Sequence, residues 1–306
     1  MALDQRRFLT ARQISRLFYR GETEAIPDPD ARTMALAAAD RQANRRTLRP
    51  LKDGEYITVV RPFLTGETTP LARKEVNILT AKGAALIRQA YADEELGRQL
   101  RWHRALSEVD NTNQAHAALL NDWFIVMRRS MGNGWHLRGW RDDRDLSQLT
   151  KQGATGFIGM IPDAVFVLSL HSDGAKDDHV PWIVELDRGT ESVFSLRQPT
   201  KDWTAKIERY LAYLAGPVHQ DPLWRGISRA PTVLTLTSSL SRRDNLIDAT
   251  ADAGGDDRFW FATYQPLLVD RDPRRLFWET AWTLPSGQTT SMAAFMGEST
   301  RSLVAS

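Results

Sequence analysis

The chain has 306 residues, 42% of them hydrophobic, with 40 Lys+Arg against 38 Asp+Glu for a net charge of +2 and no cysteine, a composition that supports packed cores and two domains. Disulfides and thiolate metal sites are excluded, no run approaches the roughly 20 apolar residues of a membrane span, and MALDQRRFLT lacks the apolar segment of a secretion signal, so a cytoplasmic protein is expected. The charge is uneven: residues 1–90 hold 16 Lys+Arg against 10 Asp+Glu, a balance of +6 that leaves −4 for the rest, and this basic third is the natural seat for a polyanion.

LTARQISRLF predicts a helix capped at Thr10, with Gln13 completing a capping box and Ile14, Leu17 and Phe18 forming its apolar stripe. IPDPD breaks the chain, and ARTMALAAADRQANRRTLRPL reads as helical up to Pro50, which is expected to stop it. The turn KDGEY leads into a strand, YITVVRPF, a polar loop, LTGETTPLA, a second strand, EVNIL, and the helix AKGAALIRQAYA capped by Thr80. Helix, helix, basic helix, strand, loop, strand, helix is the order of a winged helix, predicted here over residues 8–92.

The basic helix carries Arg41, Asn44, Arg45, Arg46 and Arg49, with Lys52 just beyond. Positions 41, 45 and 49 recur every four residues and line one broad face with Asn44, while Ala43, Leu48 and Leu51 are expected to pack inward. Guanidinium groups suit phosphate oxygens and the guanine edge, and Asn suits adenine. Arg61, Arg73 and Lys74 at the roots of the wing would add phosphate contacts, which position a protein without specifying sequence.

Residues 93–111 read as a charged helical connector, and the pattern then changes. NQAHAALLNDWFIVMRRSM is an amphipathic helix, GWHLRGWRDD and FIGMIPDAVFVLSL are strands, HSDGAKDDH is an acidic turn, and PWIVEL is a third strand. KDWTAKIERYLAYLA is a helix, PTVLTLTSS a strand, SRRDNLIDATADA a helix and DRFWFATYQPLL a last strand. This α, β, β, β, α, β, α, β series gives an α/β domain with a mixed central sheet over residues 112–285, followed by a tail over 286–306, and the fold class of the whole is α+β.

The element order of this second domain resembles the core of the PD-(D/E)xK restriction-endonuclease-like fold, whose signature is Asp after Pro on one strand, then an acidic residue, any residue and Lys on the next. Asp163 follows Pro162, and Glu185 stands at the end of the next strand, but Asp187 occupies the position of the lysine. Lys206, in the following helix, is the available substitute. If the site were active, Asp163 and Glu185 would hold Mg²⁺ and Lys206 would assist the attacking water. On the plainer reading, Asp187 pairs with the adjacent Arg188 at a turn that Gly189 closes with positive φ.

The motifs LTAKG, IPDAVF, VELDRGTES, KIERYLAY, TVLTLTSSLSRRDNL and FWFATY together resemble the replication-relaxation family of bacterial plasmids and integrative elements, from about residue 8 to about residue 280. The resemblance implies a protein that binds double-stranded DNA and serves plasmid replication, DNA relaxation or conjugative transfer, or regulates transcription. A homodimer is the expected state, since winged helices commonly bind palindromic sites, and no cofactor is expected unless the acidic site is active. The alternative is a Mg²⁺-dependent endonuclease or nickase using Asp163, Glu185 and Lys206.

Other chemistries lack support. His103, His116, His136, His171, His179 and His219 show no zinc-ligand spacing, and neither GxxxxGK[ST], GxGxxG nor GxSxG occurs. Tyr210 and Tyr213 lack the histidines of a relaxase and read as packing. Trp123, Trp135, Trp140, Trp182, Trp203, Trp260 and Trp278 are expected in the core of the second domain; only Trp135 and Trp140, beside Arg138 and Arg141, would suit a stacking platform for single strands.

Overall fold

The computed structural model describes residues 9–60, 76–90, 111–132, 134–170, 178–189, 193, 202–269 and 271–296. The chain divides into two compact units, Met1–Arg129 with Asp270–Asp272, and Ser130–Val269 with Pro273–Ser306.

The first unit holds β1 (Leu9–Thr10), α1 (Ala11–Phe18), α2 (Pro29–Ala43), α3 (Arg49–Asp53), β2 (Ile57–Val60), β3 (Val76–Leu79), α4 (Ala81–Ala90) and α5 (Asn111–Ser130, its last residue in the other unit). The strands form an antiparallel sheet in the order β1-β3-β2, with Thr10 opposite Val76 and Ile57 opposite Leu79. The capping box of α1 is present: the Gln13 N–H donates to Thr10 Oγ1 (3.2 Å) and the Thr10 N–H donates to Gln13 Oε1 (2.9 Å). Ile14 is buried and Leu17 half-buried, but Phe18 is 60% exposed. The inward side of α1 carries polar residues instead, Gln13 donating to the Ala118 carbonyl of α5 (2.8 Å) and Arg16 reaching Asp122 of α5 (3.8 Å). These contacts draw α5 into the first unit as far as Arg129, whereas the sequence boundary stood at 112.

Between α1 and α2 the short 3₁₀ turn Gly21–Ala25 presents Glu24, whose side chain is fully buried among three arginines. Arg16 Nε (2.9 Å), Arg20 Nη1 (3.2 Å) and Arg129 Nη1 (2.6 Å) all donate to it. Arg20 also donates to both oxygens of Asp40 on α2 (2.9 and 3.1 Å), which accepts from Ser15 as well (2.5 Å). One ionic network, buried at Glu24 and open to solvent at Asp40, therefore joins α1, the 3₁₀ turn, α2 and α5.

Asp28 caps α2 by accepting from the Ala31 N–H (2.8 Å), and Pro29 takes the first turn, where a missing N–H costs nothing. The helix does not stop at Pro50. It runs on through a π turn, Asn44–Leu48, into α3, so the expected second helix and basic helix are one continuous element. The Arg49 N–H donates to the Asn44 carbonyl, five residues back. This widened turn lies where the Pro50 ring would crowd an α-helical carbonyl and where its absent N–H leaves a gap.

Thr80 caps α4: the Gly83 N–H donates to Thr80 Oγ1 (3.1 Å), which itself donates to the Glu55 carbonyl (2.7 Å). A Cβ on Gly83 would run into the Tyr56 carbonyl oxygen just before β2. Gly83→Ala is therefore expected to cost about 1–3 kcal/mol, read as a lower denaturation midpoint, whereas Gly21→Ala, with open space around it, carries only the strain of its positive φ. The loop expected to be a wing, with Arg61, Arg73 and Lys74, lies outside the described residues, as do the expected connector up to residue 110, most of the expected acidic turn and residues 297–306.

The second unit is built on a seven-stranded mixed sheet, β10-β9-β8-β7-β6-β5-β4. Its strands are β4 (Trp135–Asp142), β5 (Ala164–Leu170), β6 (Asp178–Asp187), β7 (Thr232–Thr237), β8 (Phe259–Thr263), β9 (Trp282–Thr283) and β10 (Thr289–Thr290). Its helices are α6 (Asp143–Lys151), α7 (Trp203–Ala215), α8 (Leu240–Asp252) and α9 (Pro273–Glu279). β4, β5 and β6 are antiparallel neighbours, and α7 and α8 are crossovers that bring β7 parallel to β6 and β8 parallel to β7. The expected series holds as far as β8, with α6 added between the first two strands; β8 is not the last strand, since α9, β9 and β10 follow it. Val165, Val167 and Ile183 on one sheet face pack with Trp203, Ile207 and Tyr210 of α7.

The segment expected as a tail is part of this unit as far as residue 296. β10 pairs with β9, Met292 and Met296 are buried, and Phe295 sets its ring edge-on to Trp182 (5.5 Å) and Trp260 (5.1 Å). Aromatic burial holds it there. Among the described residues, no helix is long and apolar enough to cross a membrane.

Candidate functional site

Two sets of residues gather chemistry, one in each unit. In the first, Arg41, Asn44, Arg45, Arg46 and Arg49 are all exposed along the continuous α2–α3 helix, Lys52 is half-buried, and Ala43 and Leu48 are buried on the other side. Leu51, expected inside, is half-buried. Arg49 lies 3.8 Å from Asp53 one turn on, an exposed pair of little energetic weight. The face is held from behind by Arg20 on Asp40 and by Tyr19, whose hydroxyl meets that of Thr47 in the π turn.

In the second unit, Asp163 lies immediately before β5, and Glu185 and Asp187 end β6, opposite Thr235 and Thr237 of the parallel β7. Alternation along the strand puts Glu185 and Asp187 on the face that α7 covers. Asp163 Oδ2 accepts the Leu186 N–H (2.7 Å), which ties the start of β5 to the strand segment between the other two carboxylates. Lys206 and Tyr210, one turn apart on α7, both reach Glu185: Lys206 Nζ stands 3.2 Å from Oε2, and the Tyr210 hydroxyl donates to Oε1. Glu185 is buried, with only 2% of its surface accessible.

Asp187 is bound by Arg242 of α8, where the sequence suggested the adjacent Arg188. Arg242 Nε donates to Oδ2 (2.9 Å) and Nη2 to Oδ1 (3.0 Å), a two-pronged pair, and Thr237 Oγ1 donates to Oδ2 (2.6 Å). The Gly189 N–H closes the turn on Oδ1 (3.2 Å) with φ at 77°. Burial alone would push Asp187 up, but the bonds from Arg242 and Thr237 and the Arg242 charge outweigh it and hold the carboxyl below its ordinary value. Tyr210 moves the other way: burial first, then the charge and bond of Glu185, keep its phenol protonated well above the ordinary value.

The tyrosines read as packing thus do more, for Tyr213 also donates to a carboxylate, Asp221 Oδ2 (2.9 Å), which anchors the Gly156 N–H (2.7 Å) ahead of β5. The spacing of Tyr210 one turn after Lys206 was the available signal. Arg242 had none, because its partner comes from a different strand. Trp135 and Trp140 already have ring partners, Trp278 (6.1 Å, tilted) and Phe166 (5.9 Å, stacked). Trp182, Trp203 and Trp260 are buried in the second unit, as expected of core rings, Trp123 is buried in the first unit instead, and Trp278 is half-buried.

The replication-relaxation family matches residues 1–223, which takes in the basic helix and Asp163, Glu185, Asp187, Lys206 and Tyr210. The chain belongs to that family. The match ends before Arg242. Among solved structures, restriction endonuclease FokI bound to DNA aligns over 87% of this chain and 66% of its own, at 9% identity and a TM-score of 0.21. No curated protein matches the sequence.

A divalent ion does not fit the acidic cluster as it is built. Both oxygens of Glu185 and both of Asp187 are engaged by side chains of α7, α8 and β7. Among the described residues, no group of three His, Cys, Asp or Glu side chains is placed to hold a metal.

Proposed function

We propose that this replication-relaxation protein binds duplex DNA of a plasmid or other mobile element through a winged helix in its first unit. It acts as an accessory factor in replication, DNA relaxation or conjugative transfer, or as a transcriptional regulator. The observation that carries this reading is the exposed row Arg41, Asn44, Arg45, Arg46 and Arg49 on one helix whose opposite side is buried. Arginines so placed suit phosphates and guanine edges, and Asn44 suits adenine. Lys52, Arg61, Arg73 and Lys74 supply further phosphate contacts, and a homodimer places two such helices on the half-sites of a palindrome.

Fluorescence anisotropy with labelled duplex DNA over a salt series tests it. Each phosphate contact contributes about 0.9 to the slope of log affinity on log salt, so Arg45→Ala/Arg49→Ala is expected to weaken binding and flatten the slope by about 2. Unchanged affinity and slope would replace this reading with that of a protein-binding adaptor.

The second reading, a Mg²⁺-dependent endonuclease or nickase, draws on the approach of Lys206 to Glu185 (3.2 Å), with Asp163, just before β5, bonded to the Leu186 N–H next along β6. It is the weaker of the two, because the Glu185 oxygens a metal would need are already bonded. Nicking of supercoiled plasmid in Mg²⁺ or Mn²⁺ that disappears in Asp163→Ala and Glu185→Ala would reverse that order.

A further inference from the structure

β4 forms one edge of the seven-stranded sheet, and an irregularity in it decides where its arginines point. His136 stands opposite Ser169 of β5 and Arg138 opposite Val167, but the next pairing is Arg141 with Val165, so Gly139 and Trp140 together bulge over the single Phe166. In a regular strand, residues three apart point to opposite faces. The bulge, with Gly139 at a φ of 63°, absorbs the extra residue and returns Arg141 to the side of Arg138. Residues paired across strands share a face, so His136, Arg138 and Arg141 all lie on the face of Ser169, Val167 and Val165. All three are exposed, and no side-chain hydrogen bond or ion pair ties any of them to another described residue. Asp142, next along the strand, is buried and caps α6, accepting the Asp145 N–H (3.1 Å). Charges and bulges also guard an edge strand against pairing, but that role needs no common face.

We propose that this ridge is a further DNA-contact surface, on the second unit, where Arg138 and Arg141, with His136 beside them, hold the phosphate backbone of duplex DNA without reading its sequence. Guanidinium groups match phosphate oxygens two at a time. Residues two apart on a strand are separated by about 6.8 Å, so the cations are spread along the edge and each can take a phosphate of its own. Stacking on bases is not open to this surface, since Trp135 packs on Trp278 and Trp140 on Phe166. What is left is contact with the backbone, which positions a protein rather than specifying a site. Residues 91–306 carry a net charge of −4, and a set of exposed cations on one face of so acidic a stretch favours a polyanion as the partner. The proposal rests on duplex DNA being the ligand of this protein, but not on the α2–α3 helix being what binds it.

The test is the binding of the full chain to labelled duplexes of unrelated sequence over a salt series. Arg138→Ala/Arg141→Ala is expected to lower affinity by the same factor on every duplex and to flatten the slope of log affinity on log salt by about 2, at about 0.9 for each phosphate contact. Arg138→Lys/Arg141→Lys keeps both charges and is expected to hold the wild-type slope. Arg258→Ala/Arg275→Ala removes as much charge from arginines that already pair with Asp256 and Glu279, and is expected to leave the slope unchanged. Arg45→Ala/Arg49→Ala separates the two surfaces: binding indifferent to sequence is expected to remain in that variant and to disappear when Arg138→Ala/Arg141→Ala is added. A folded Arg138→Ala/Arg141→Ala protein with wild-type affinity and slope would overturn the proposal, as would an equal loss in Arg258→Ala/Arg275→Ala. If Arg45→Ala/Arg49→Ala has no effect while Arg138→Ala/Arg141→Ala weakens binding, the ridge holds the DNA and the basic helix does not; a wild type that binds no duplex would overturn both.

Discussion

Glu24→Ala is expected to destabilise the first unit by about 3–5 kcal/mol, the cost typical of removing one partner from a buried ion pair. Glu24 has no accessible side-chain surface and takes charged hydrogen bonds from Arg16, Arg20 and Arg129. Arg16 is itself fully buried, so truncating the acid leaves a guanidinium that cannot lose its proton and has no water to turn to. The loss also propagates, because Arg20 is shared with Asp40 on α2. Glu24→Gln, which keeps the acceptor oxygen, is expected to cost less. Chemical denaturation of the full chain checks the order, with the first unit melting earliest in Glu24→Ala; added salt should restore little, since screening acts weakly on buried pairs. A Glu24→Ala protein within about 1 kcal/mol of wild type would show that the network relaxes around the gap.

The second large effect is expected at Glu185. Glu185→Ala removes the acceptor of a fully buried Tyr210 hydroxyl and the counter-charge of Lys206 together, at about 3 kcal/mol or more. Tyr210→Phe keeps the ring and the Lys206 pair and is expected to cost about 1–2 kcal/mol. The two also differ in pH dependence. The Tyr210 phenol is held above its ordinary value of 10.0, by burial first and by Glu185 second. Its contribution is therefore present in full below about pH 10 and is lost as the pH climbs from there toward the raised folded value. Denaturant midpoints measured up the alkaline range should fall more steeply for the wild type than for Tyr210→Phe; parallel curves would count against a buried, bonded phenol.

Local signals in the sequence reached the structure well. Thr10 and Gln13 form their capping box, Thr80 caps α4, and the strand that Asp163 leads into lies beside the strand carrying Glu185, with Lys206 on the crossover helix. Each of these depends on residues close in the chain or on a short motif whose order fixes its topology. The reading failed where a distant partner decides. Asp187 was matched to the neighbouring Arg188, yet its guanidinium comes from α8. Phe18 was placed inside because it fits a stripe, yet the inner side of α1 belongs to Gln13 and Arg16, whose polar ends find partners on α5. Residues 286–296 were read as a tail because they follow the last expected strand; Phe295 packs on Trp182 and Trp260, distant in the chain, and Met292 and Met296 are buried. Pro50 was taken as a stop because the rule for proline assumes regular α geometry on both sides.

The π turn at Asn44–Leu48 carries one residue more than an α turn would in the same span. The extra residue is absorbed within the widened turn, so deleting any one position there is expected to restore regular α spacing while leaving Lys52 on the side of the axis it now takes relative to Arg41. Among relatives, the basic segment is thus expected to differ by one residue at this turn without turning its arginines away from one another.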